Sequence, residues 1–312
     1  MMRRTNNFGG AALRDRRAGD GAQPTPAVVL GAGVSRPNAM TVDVEDFFQV
    51  QAFAGAIDRA SWEARPSRVE SNTDKILALF AEHDVKATFF TLGWIAERHR
   101  GLIRRIVDQG HELASHGYEH IPVFQHEPQA FRSDVQRAKR LLEDIGGTAV
   151  RGYRAASFSV TEDTLWALSV LAEEGYEYSS SIYPVLHDHY GIPRAPRFAF
   201  HPREDRFLEI PLTTVRVLGQ NVPCSGGGYF RLFPYVVSRL GLRRVNERDR
   251  QPCVFYFHPW EVDPDQPRVG GISLKSRFRH YLNLSRMEAR LHRLLTDFAW
   301  SRMDRVFLGG DA

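Results

Sequence analysis

Three short segments of this chain carry the residue types of a hydrolytic metal site. They are Asp43-Val44-Glu45-Asp46, then His116-Gly117-Tyr118-Glu119-His120, and finally Val254-Phe255-Tyr256-Phe257-His258. A divalent cation in such a site takes oxygen and nitrogen ligands, while a separate base and acid move the protons. The pattern therefore indicates a mononuclear metal hydrolase.

The three acids follow a short strand-like run. Because side chains alternate along a strand, Asp43 and Glu45 share one face, whereas Asp46 faces elsewhere unless the strand has already turned. Carboxylates this close repel one another unless a cation or an arginine neutralises them. A carboxylate base beside a metal-bound water accounts for the cluster, and the alternative is a helix N-cap within a solvated loop.

The histidines and one arginine also follow predicted strands. A spacing of four puts His116 and His120 on one face of a helical turn, where they can share an ion. The alternative is a surface turn with two solvated histidines. His258 is either a site residue or a core histidine at the end of an apolar strand. Arg154 ends another strand, where its charged fork can orient a carboxylate.

Strand-like and helical segments alternate from residue 39 onward. The predicted strands cover 39–44, 87–92, 112–115, 150–155, 176–180, 207–212 and 253–258, and the predicted helices cover 75–82, 95–109, 128–145 and 161–174. Such alternation indicates an α/β fold with a parallel sheet, and about seven strands favour a barrel whose functional groups lie at the C-terminal strand ends. A doubly wound open sheet is the alternative, but no G-x-G-x-x-G follows a predicted strand.

We predict three regions: a disordered N-terminal tail over 1–37, a barrel over 38–262 and a helical extension packed on the barrel over 263–312. The tail is rich in glycine, proline and arginine and has too few large apolar residues to form a core. Within the barrel, Gly226-Gly227-Gly228 predicts a loop whose backbone approaches a ligand closely. Residues 274–302 show the pattern of one basic C-terminal helix.

Composition narrows the functional classes. The formal net charge is +4, and no aromatic-interleaved basic stripe accompanies it, which argues against nucleic acid as a partner. No run reaches the roughly 18 apolar residues of a membrane span, so we expect no stable membrane insertion. Two distant cysteines and the lack of a secretory pattern favour the cytoplasm. The oligomeric state stays open.

Taken together, the chain from Met40 onward resembles the polysaccharide deacetylases of carbohydrate esterase family four, which include chitooligosaccharide and peptidoglycan deacetylases. The resemblance rests on the ordered motifs Asp43-x-Glu45-Asp46, His116-x-x-x-His120, Tyr153-Arg154 and Phe257-His258-Pro259. Further matching segments are Val42 to Val50, Ser181-Ile182-Tyr183-Pro184, Gly226 to Arg231 and Phe257 to Pro264. These segments are similar to the branch encoded with exosortase-linked exopolysaccharide clusters in bacteria.

This resemblance implies a deformed (β/α)7 barrel that removes N-acetyl groups from a carbohydrate with one divalent metal ion, zinc being the expected one. It assigns Asp43 as general base, oriented by Arg154, and His258 as the acid that protonates the departing amine. The metal ligands are His116, His120 and either Glu45 or Asp46, with strand alternation favouring Glu45.

One position departs from that family. Ser179 occupies a site where relatives usually carry an aspartate that could support the acid histidine, so we expect a lower pKa for His258 unless another acid, such as Asp188 or Asp263, replaces it. Two rival functions remain: another C–N hydrolase, such as an allantoinase-like or cyclic-amide enzyme, and a catalytically silent carbohydrate-binding relative.

Overall fold

Ten strands and nine α-helices make up the described part of the chain. The structure is a computed structural model that describes residues 37–186 and 191–309. The strands are β1 (Asn38–Val44), β2 (Thr88–Thr91), β3 (Glu112–Ser115), β4 (Gly152–Tyr153), β5 (Tyr178–Ser179), β6 (Leu208–Glu209), β7 (Thr214–Val217), β8 (Gln220–Pro223), β9 (Val254–Phe257) and β10 (Trp300–Ser301). The predicted tail over 1–37 lies outside the described residues, apart from Pro37.

The helices follow the strands in alternation. They are α1 (Val69–Glu82), α2 (Gly93–Arg98), α3 (Arg100–Asp108), α4 (Pro128–Gly146), α5 (Trp166–Glu173), α6 (Gly227–Leu232), α7 (Tyr235–Arg244), α8 (Leu274–Tyr281) and α9 (Met287–Asp297). In α4, proline occupies the first turn and Gly147 ends the helix in the left-handed region, as helix-terminus preferences require. Its apolar residues recur at helical spacing and face the sheet.

Seven parallel strands form one curled sheet in the order β9-β1-β2-β3-β4-β5-β6, and β10 pairs in parallel with the start of β1. Among the described residues no ladder joins β6 to β9. The Oγ1 atom of Thr213 instead accepts a hydrogen bond from the N–H of Val254 at 2.7 Å. The predicted α/β fold with a deformed seven-stranded barrel is confirmed.

The two faces of β1 differ in chemistry. Met40, Val42 and Val44 belong to the apolar core between the sheet and the outer helices. Thr41 and Asp43 alternate with them and face the barrel interior, where both hydrogen-bond to a buried arginine. The alternation thus places the carboxylate of Asp43 in the barrel interior, while the apolar side chains of the outer face pack into the core.

Two helix predictions were wrong in extent. The predicted helix over 95–109 is broken at His99, which has an extended φ of −121° between α2 and α3. The predicted single helix over 274–302 is divided at Asn283, whose φ is +53°, and it ends in β10 rather than in a further helical turn. No helix within 37–186 or 191–309 combines the length and apolar character that a bilayer span requires.

Candidate active site

The carboxylate of Asp43 lies inside the barrel, bound by the guanidinium of Arg154. The Nη1 atom of Arg154 donates to Oδ1 of Asp43 at 2.5 Å and to Oγ1 of Thr41 at 2.8 Å. Its Nε and Nη2 atoms donate to the carbonyl and hydroxyl oxygens of Ser180 at 3.2 and 3.1 Å. Both charged side chains are buried, so solvent does not screen the pair. Arg154 thereby holds Asp43 in one orientation.

Glu45 meets the two histidines just beyond the end of β1. The Oε2 atom of Glu45 lies 3.0 Å from Nε2 of His120. One ligand atom from each of Glu45, His116 and His120 falls within 4.8 Å of the others. Each of the three residues is at most 5 % exposed. The structure therefore brings a carboxylate and two imidazoles together at the C-terminal ends of β1 and β3.

Hydrogen bonds to the backbone orient both rings. The Nδ1 atom of His116 lies 2.9 Å from the carbonyl oxygen of Arg154, so Nδ1 carries the proton and Nε2 keeps its lone pair. The ring of His120 hydrogen-bonds to the backbone of Gln49. Burial lowers the pKa of His116 to about 4 and that of His120 well below its usual value. Both rings are consequently neutral, as a metal ligand must be.

These residues fit a divalent cation. The Oε2 atom of Glu45 is buried and has no hydrogen-bond partner among the described residues, because a neutral His120 ring that donates to Gln49 keeps only a lone pair on its other nitrogen. Burial raises the pKa of Glu45 to about 7. A bound cation would give the buried Oε2 atom a partner and would offset the free-energy cost of burying the charged carboxylate. One carboxylate with two imidazoles is a donor set that suits zinc.

Asp46 faces away from that group. Its Oδ2 atom accepts from the N–H groups of Arg68 and Val69 at 2.7 and 3.0 Å and from the hydroxyl of Ser67 at 2.8 Å. Its Oδ1 atom accepts from the N–H of Phe47 at 2.8 Å. Asp46 therefore anchors the start of α1 and satisfies helix donors that would otherwise lack partners. The structure brings Glu45 to the histidines and leaves Asp46 outside.

His258 follows β9, and its ring lies between two carboxylates. The Nδ1 atom is 2.8 Å from Oε1 of Glu261, and Nε2 is 3.5 Å from Oε1 of Glu45. The ring stacks on Trp260 with centroids 5.1 Å apart. Burial by itself would lower the pKa of His258, but Glu45 and Glu261 outweigh it and raise the pKa to about 9. The two carboxylates thus favour the protonated form of this ring, which is the form that can act as an acid.

The carboxylate of Glu261 is itself held by Arg231. The Nε atom of Arg231 donates to Oε2 of Glu261 at 2.6 Å, and Nη1 donates to the carbonyl oxygens of His280 and Leu282 at 3.0 and 2.6 Å. Burial would raise the pKa of Glu261, but Arg231 and His258 reverse the effect and lower it to about 2. The three side chains form a relay from arginine through carboxylate to imidazole, in which Arg231 and Glu261 are buried and His258 is partly exposed.

The glycine-rich segment lies close to side chains of the protein, including Glu261 of the relay, rather than to a ligand. Residues 227–232 are helical, and a Cβ atom at Gly227 would overlap the carboxylate of Glu261. At Gly226 the φ of +100° excludes most side chains, and a Cβ atom there would overlap the ring of Tyr256. Gly228 has nothing within 4 Å of the corresponding position. The predicted close approach exists, but its partners are side chains of the protein.

Ser179 is not part of the relay. Its hydroxyl donates to Oγ of Ser181 at 2.7 Å, and it lies beside the buried carboxylate of Glu209. The expectation that His258 lacks a supporting acid because of Ser179 was wrong, since Glu261 fills that role.

Asp263, one of the two proposed substitutes, is bound elsewhere and does not contact His258. The carboxylate of Asp263 accepts from Nη2 of Arg68 at 2.9 Å and from Nδ2 of Asn72 at 3.2 Å. Asp188 lies outside the described residues.

Sequence reasoning missed Glu261 and Arg231. A local signal for Glu261 was present, because Pro259 starts a short 3-10 turn that brings a residue three positions later back toward His258. The Oε1 atom of Glu261 accepts from the N–H of His258 at 3.1 Å, as such a turn allows. No comparable signal exists for Arg231, which lies 30 residues away from Glu261 in the chain.

Two segments of the chain match models of known protein families. Residues 60–179 match the model of a family described as polysaccharide deacetylase. Over these residues the chain is similar to polysaccharide deacetylases. Residues 180–308 match a domain of unknown function, DUF3473, which is consistent with the exosortase-associated branch that the motifs resemble.

Two relatives share this similarity in sequence, and one solved structure shares the fold. The peptidoglycan-N-acetylglucosamine deacetylase of Bacillus cereus is 32% identical over 30% of this chain and 35% of its own length. The chitooligosaccharide deacetylase of Bradyrhizobium is 27% identical over 46% of this chain and 60% of its own length. The chain thus spans about a third to 60% of these relatives. A crystal structure of a candidate polysaccharide deacetylase from Mycobacterium smegmatis shares the fold, with a TM-score of 0.55 and 17% identity over 91% of this chain and 93% of that one.

The two matched segments share the site. The deacetylase segment contains His116, His120 and Arg154, whereas the segment of unknown function contains His258 with its relay. Asp43 and Glu45 precede both segments. Because β6 and β9 belong to residues 180–308, that segment completes the deacetylase barrel and does not form a separate unit.

Proposed function

We propose that this protein is a metal-dependent hydrolase that removes N-acetyl groups from a carbohydrate. The observation that supports it best is the meeting of three groups at the C-terminal ends of β1, β3 and β9. They are the oriented carboxylate of Asp43, the cluster of Glu45 with two histidines, and the ring of His258 between two carboxylates. Base, ligand set and acid are the components that amide hydrolysis requires.

The roles follow from the contacts. A bound divalent cation would be held by Glu45, His116 and His120 and would supply Lewis-acid chemistry that activates water and the acetamide carbonyl. Asp43, fixed by Arg154, accepts the proton of the attacking water. His258 donates its Nε2 proton to the nitrogen of the sugar as the C–N bond breaks, and Glu261 stabilises the imidazolium beforehand. The products are acetate and the free amine.

Three finer proposals accompany this one. Zinc is the expected metal because of the two imidazole ligands. A role in exopolysaccharide synthesis is supported by the match of residues 180–308 together with the motifs of that branch. A cytoplasmic location is supported by Cys224 and Cys253, which are buried free thiols. We further propose the division into a barrel over 38–262 and an extension over 263–312, whose β10 pairs with β1.

The decisive experiment measures acetate release from a panel of N-acetylated saccharides, with and without a chelator and after zinc is restored. We expect release that the chelator abolishes and zinc recovers, and we expect release by the Asp43→Asn variant to be lower by roughly 10²–10⁴-fold. Absence of acetate from every saccharide, in protein shown to bind metal, would contradict the proposal. Turnover of cyclic amides instead would favour the rival hydrolase.

The other rival, a silent carbohydrate-binding relative, was motivated by Ser179 alone. Because Glu261 contacts His258 directly, the serine no longer argues for inactivity. Metal binding without turnover would instead support a catalytically silent protein.

A further inference from the structure

The helix α7 presents an apolar stripe to solvent. Val236, Val237 and Leu240 lie at helical spacing on one face, and the preceding Leu232 and Phe233 extend the stripe, all of them between 40 and 60 % exposed. The opposite face of α7 is buried through Tyr235, Ser238 and Leu242. Large apolar side chains grouped in this way on a surface mark an interaction site.

A second stripe of the same kind lies on α8. Leu274 and Phe278, four residues apart, are 82 % and 57 % exposed. The segments that carry the α7 and α8 stripes are joined through the buried Arg231, which is the neighbour of Leu232 and donates through Nη2 to the carbonyl oxygen of Arg279 at 3.2 Å. Together the two stripes hold seven of the twelve large apolar residues that are exposed in the described part of the chain. This concentration distinguishes the surface from scattered apolar exposure.

The charged residues within the two segments that carry the stripes are all basic. Residues 232–244 contain three arginines and no acid, and residues 274–281 contain one lysine, two arginines and no acid. Arg243 and Arg244 continue the α7 stripe at its C-terminal end, whereas Arg239 is paired with Asp297. Exposed leucine, valine and phenylalanine bordered by basic residues are the signature of a helix that lies in a membrane interface.

We propose that the α7 and α8 stripes dock this protein onto the surface of an anionic phospholipid bilayer. The apolar side chains would enter the interface while the basic residues contact lipid phosphates. Charge complementarity favours this occupant over a second copy of the chain, because two copies facing each other would bring basic residues against basic residues. Docking is peripheral, which is compatible with the lack of a spanning helix in the described residues.

The location gives docking a consequence for the site. Arg231 joins the two stripes and also holds Glu261, which contacts His258. A docked protein would thus bring the acid side of its active site near the lipid surface, where a saccharide attached to a lipid would be presented. That consequence rests on the proposed deacetylase function, whereas docking itself does not.

The test is co-sedimentation of the full chain with vesicles of equal parts phosphatidylglycerol and phosphatidylcholine. We expect binding to these vesicles, little binding to pure phosphatidylcholine, and release as salt rises from about 0.1 to about 1 M, since the Debye length falls from about 10 to about 3 Å. The variants Val236→Ser/Leu240→Ser and Leu274→Ser/Phe278→Ser should each bind roughly tenfold more weakly.

A matched control is Phe124→Ser, because Phe124 is 50 % exposed but belongs to neither stripe. It should bind like the parent protein. Equal binding by the stripe variants and the parent would overturn the proposal, and so would equal weakening by the control. Sedimentation velocity tests the alternative that a second copy of the chain covers this surface. If the parent protein is a dimer that does not bind vesicles, and the stripe variants are monomers, the surface is a contact between copies. None of these readouts depends on turnover.

Discussion

The Nδ1 atom of His258 lies 2.8 Å from the Oε1 atom of Glu261, three residues later in the chain. This contact fixes the orientation of the imidazole ring, so its Nε2 atom faces Glu45 and the metal-ligand group. A short turn therefore supplies a carboxylate that stabilises the protonated ring. Substitutions at Glu261 and at Gly227, which packs against it, are therefore expected to alter catalysis through this contact.

Replacing Glu261 with glutamine should shift the pH dependence of kcat. The pKa of His258 is raised above its usual value of 6.5 to about 9, so the acid form is present below that range and is lost as pH rises through it. Without the carboxylate of Glu261 the pKa falls, and the high-pH limb of kcat should move to lower pH. Kinetics across pH, on protein shown to be folded by circular dichroism, measure this. A limb that stays in place would mean that Glu261 does not set the protonation of His258.

Replacing Gly227 with alanine should lower activity without loss of metal. The new methyl group would overlap the carboxylate of Glu261 and displace it from His258. Gly228→Ala is the matched control, because its methyl group meets nothing within 4 Å in the same helix. Comparing kcat and bound metal in the two variants tests the prediction. Equal activity in both would show that the relay tolerates displacement.

Glu45→Gln and Asp46→Asn should have separable effects. The first variant should lose metal and activity together, since Glu45 lies with the two histidines. The second should retain metal but lose about 0.5–2 kcal/mol of unfolding free energy, because Asp46 caps the start of α1. Metal analysis and denaturant unfolding of both variants distinguish the roles. Loss of metal only in Asp46→Asn would reverse the assignment.

Asp43→Asn should keep the metal yet reduce kcat roughly 10²–10⁴-fold, which is the usual contribution of a general base. The amide can still accept a hydrogen bond from Arg154, so the barrel should remain folded. Metal content with steady-state kinetics checks this. If metal is lost to the same degree as in Glu45→Gln, Asp43 is a ligand and not the base.

Ser179→Asp should leave the pH profile of kcat unchanged and destabilise the protein. Ser179 is buried beside Glu209, so an added carboxylate would meet a second acid and not His258. Thermal unfolding and the same pH series measure both effects. A rise in the high-pH limb would mean that this position does act on His258.

Much of the site was predictable because its signals are local. Asp43 and Glu45 alternate on one strand, His116 and His120 are four residues apart, and His258 ends an apolar run, so residue type and spacing alone indicated a metal hydrolase. The seven strands of the barrel were likewise predictable, since alternation with helices implies parallel pairing. Local periodicity determines which residues reach the C-terminal strand ends.

Other features depend on contacts between distant segments, which only the tertiary structure decides. Glu45 and Asp46 are adjacent, but they have different partners because of where α1 begins. The free N–H groups at the start of α1 donate to the carboxylate of Asp46. Arg231 reaches Glu261 only when α6 packs beside β9, and Gly227 is needed because that packing leaves no room for a side chain. Sequence alone indicated the candidate reacting groups, whereas long-range packing decided which of them contact one another, since a buried charge is stable only where a distant partner meets it.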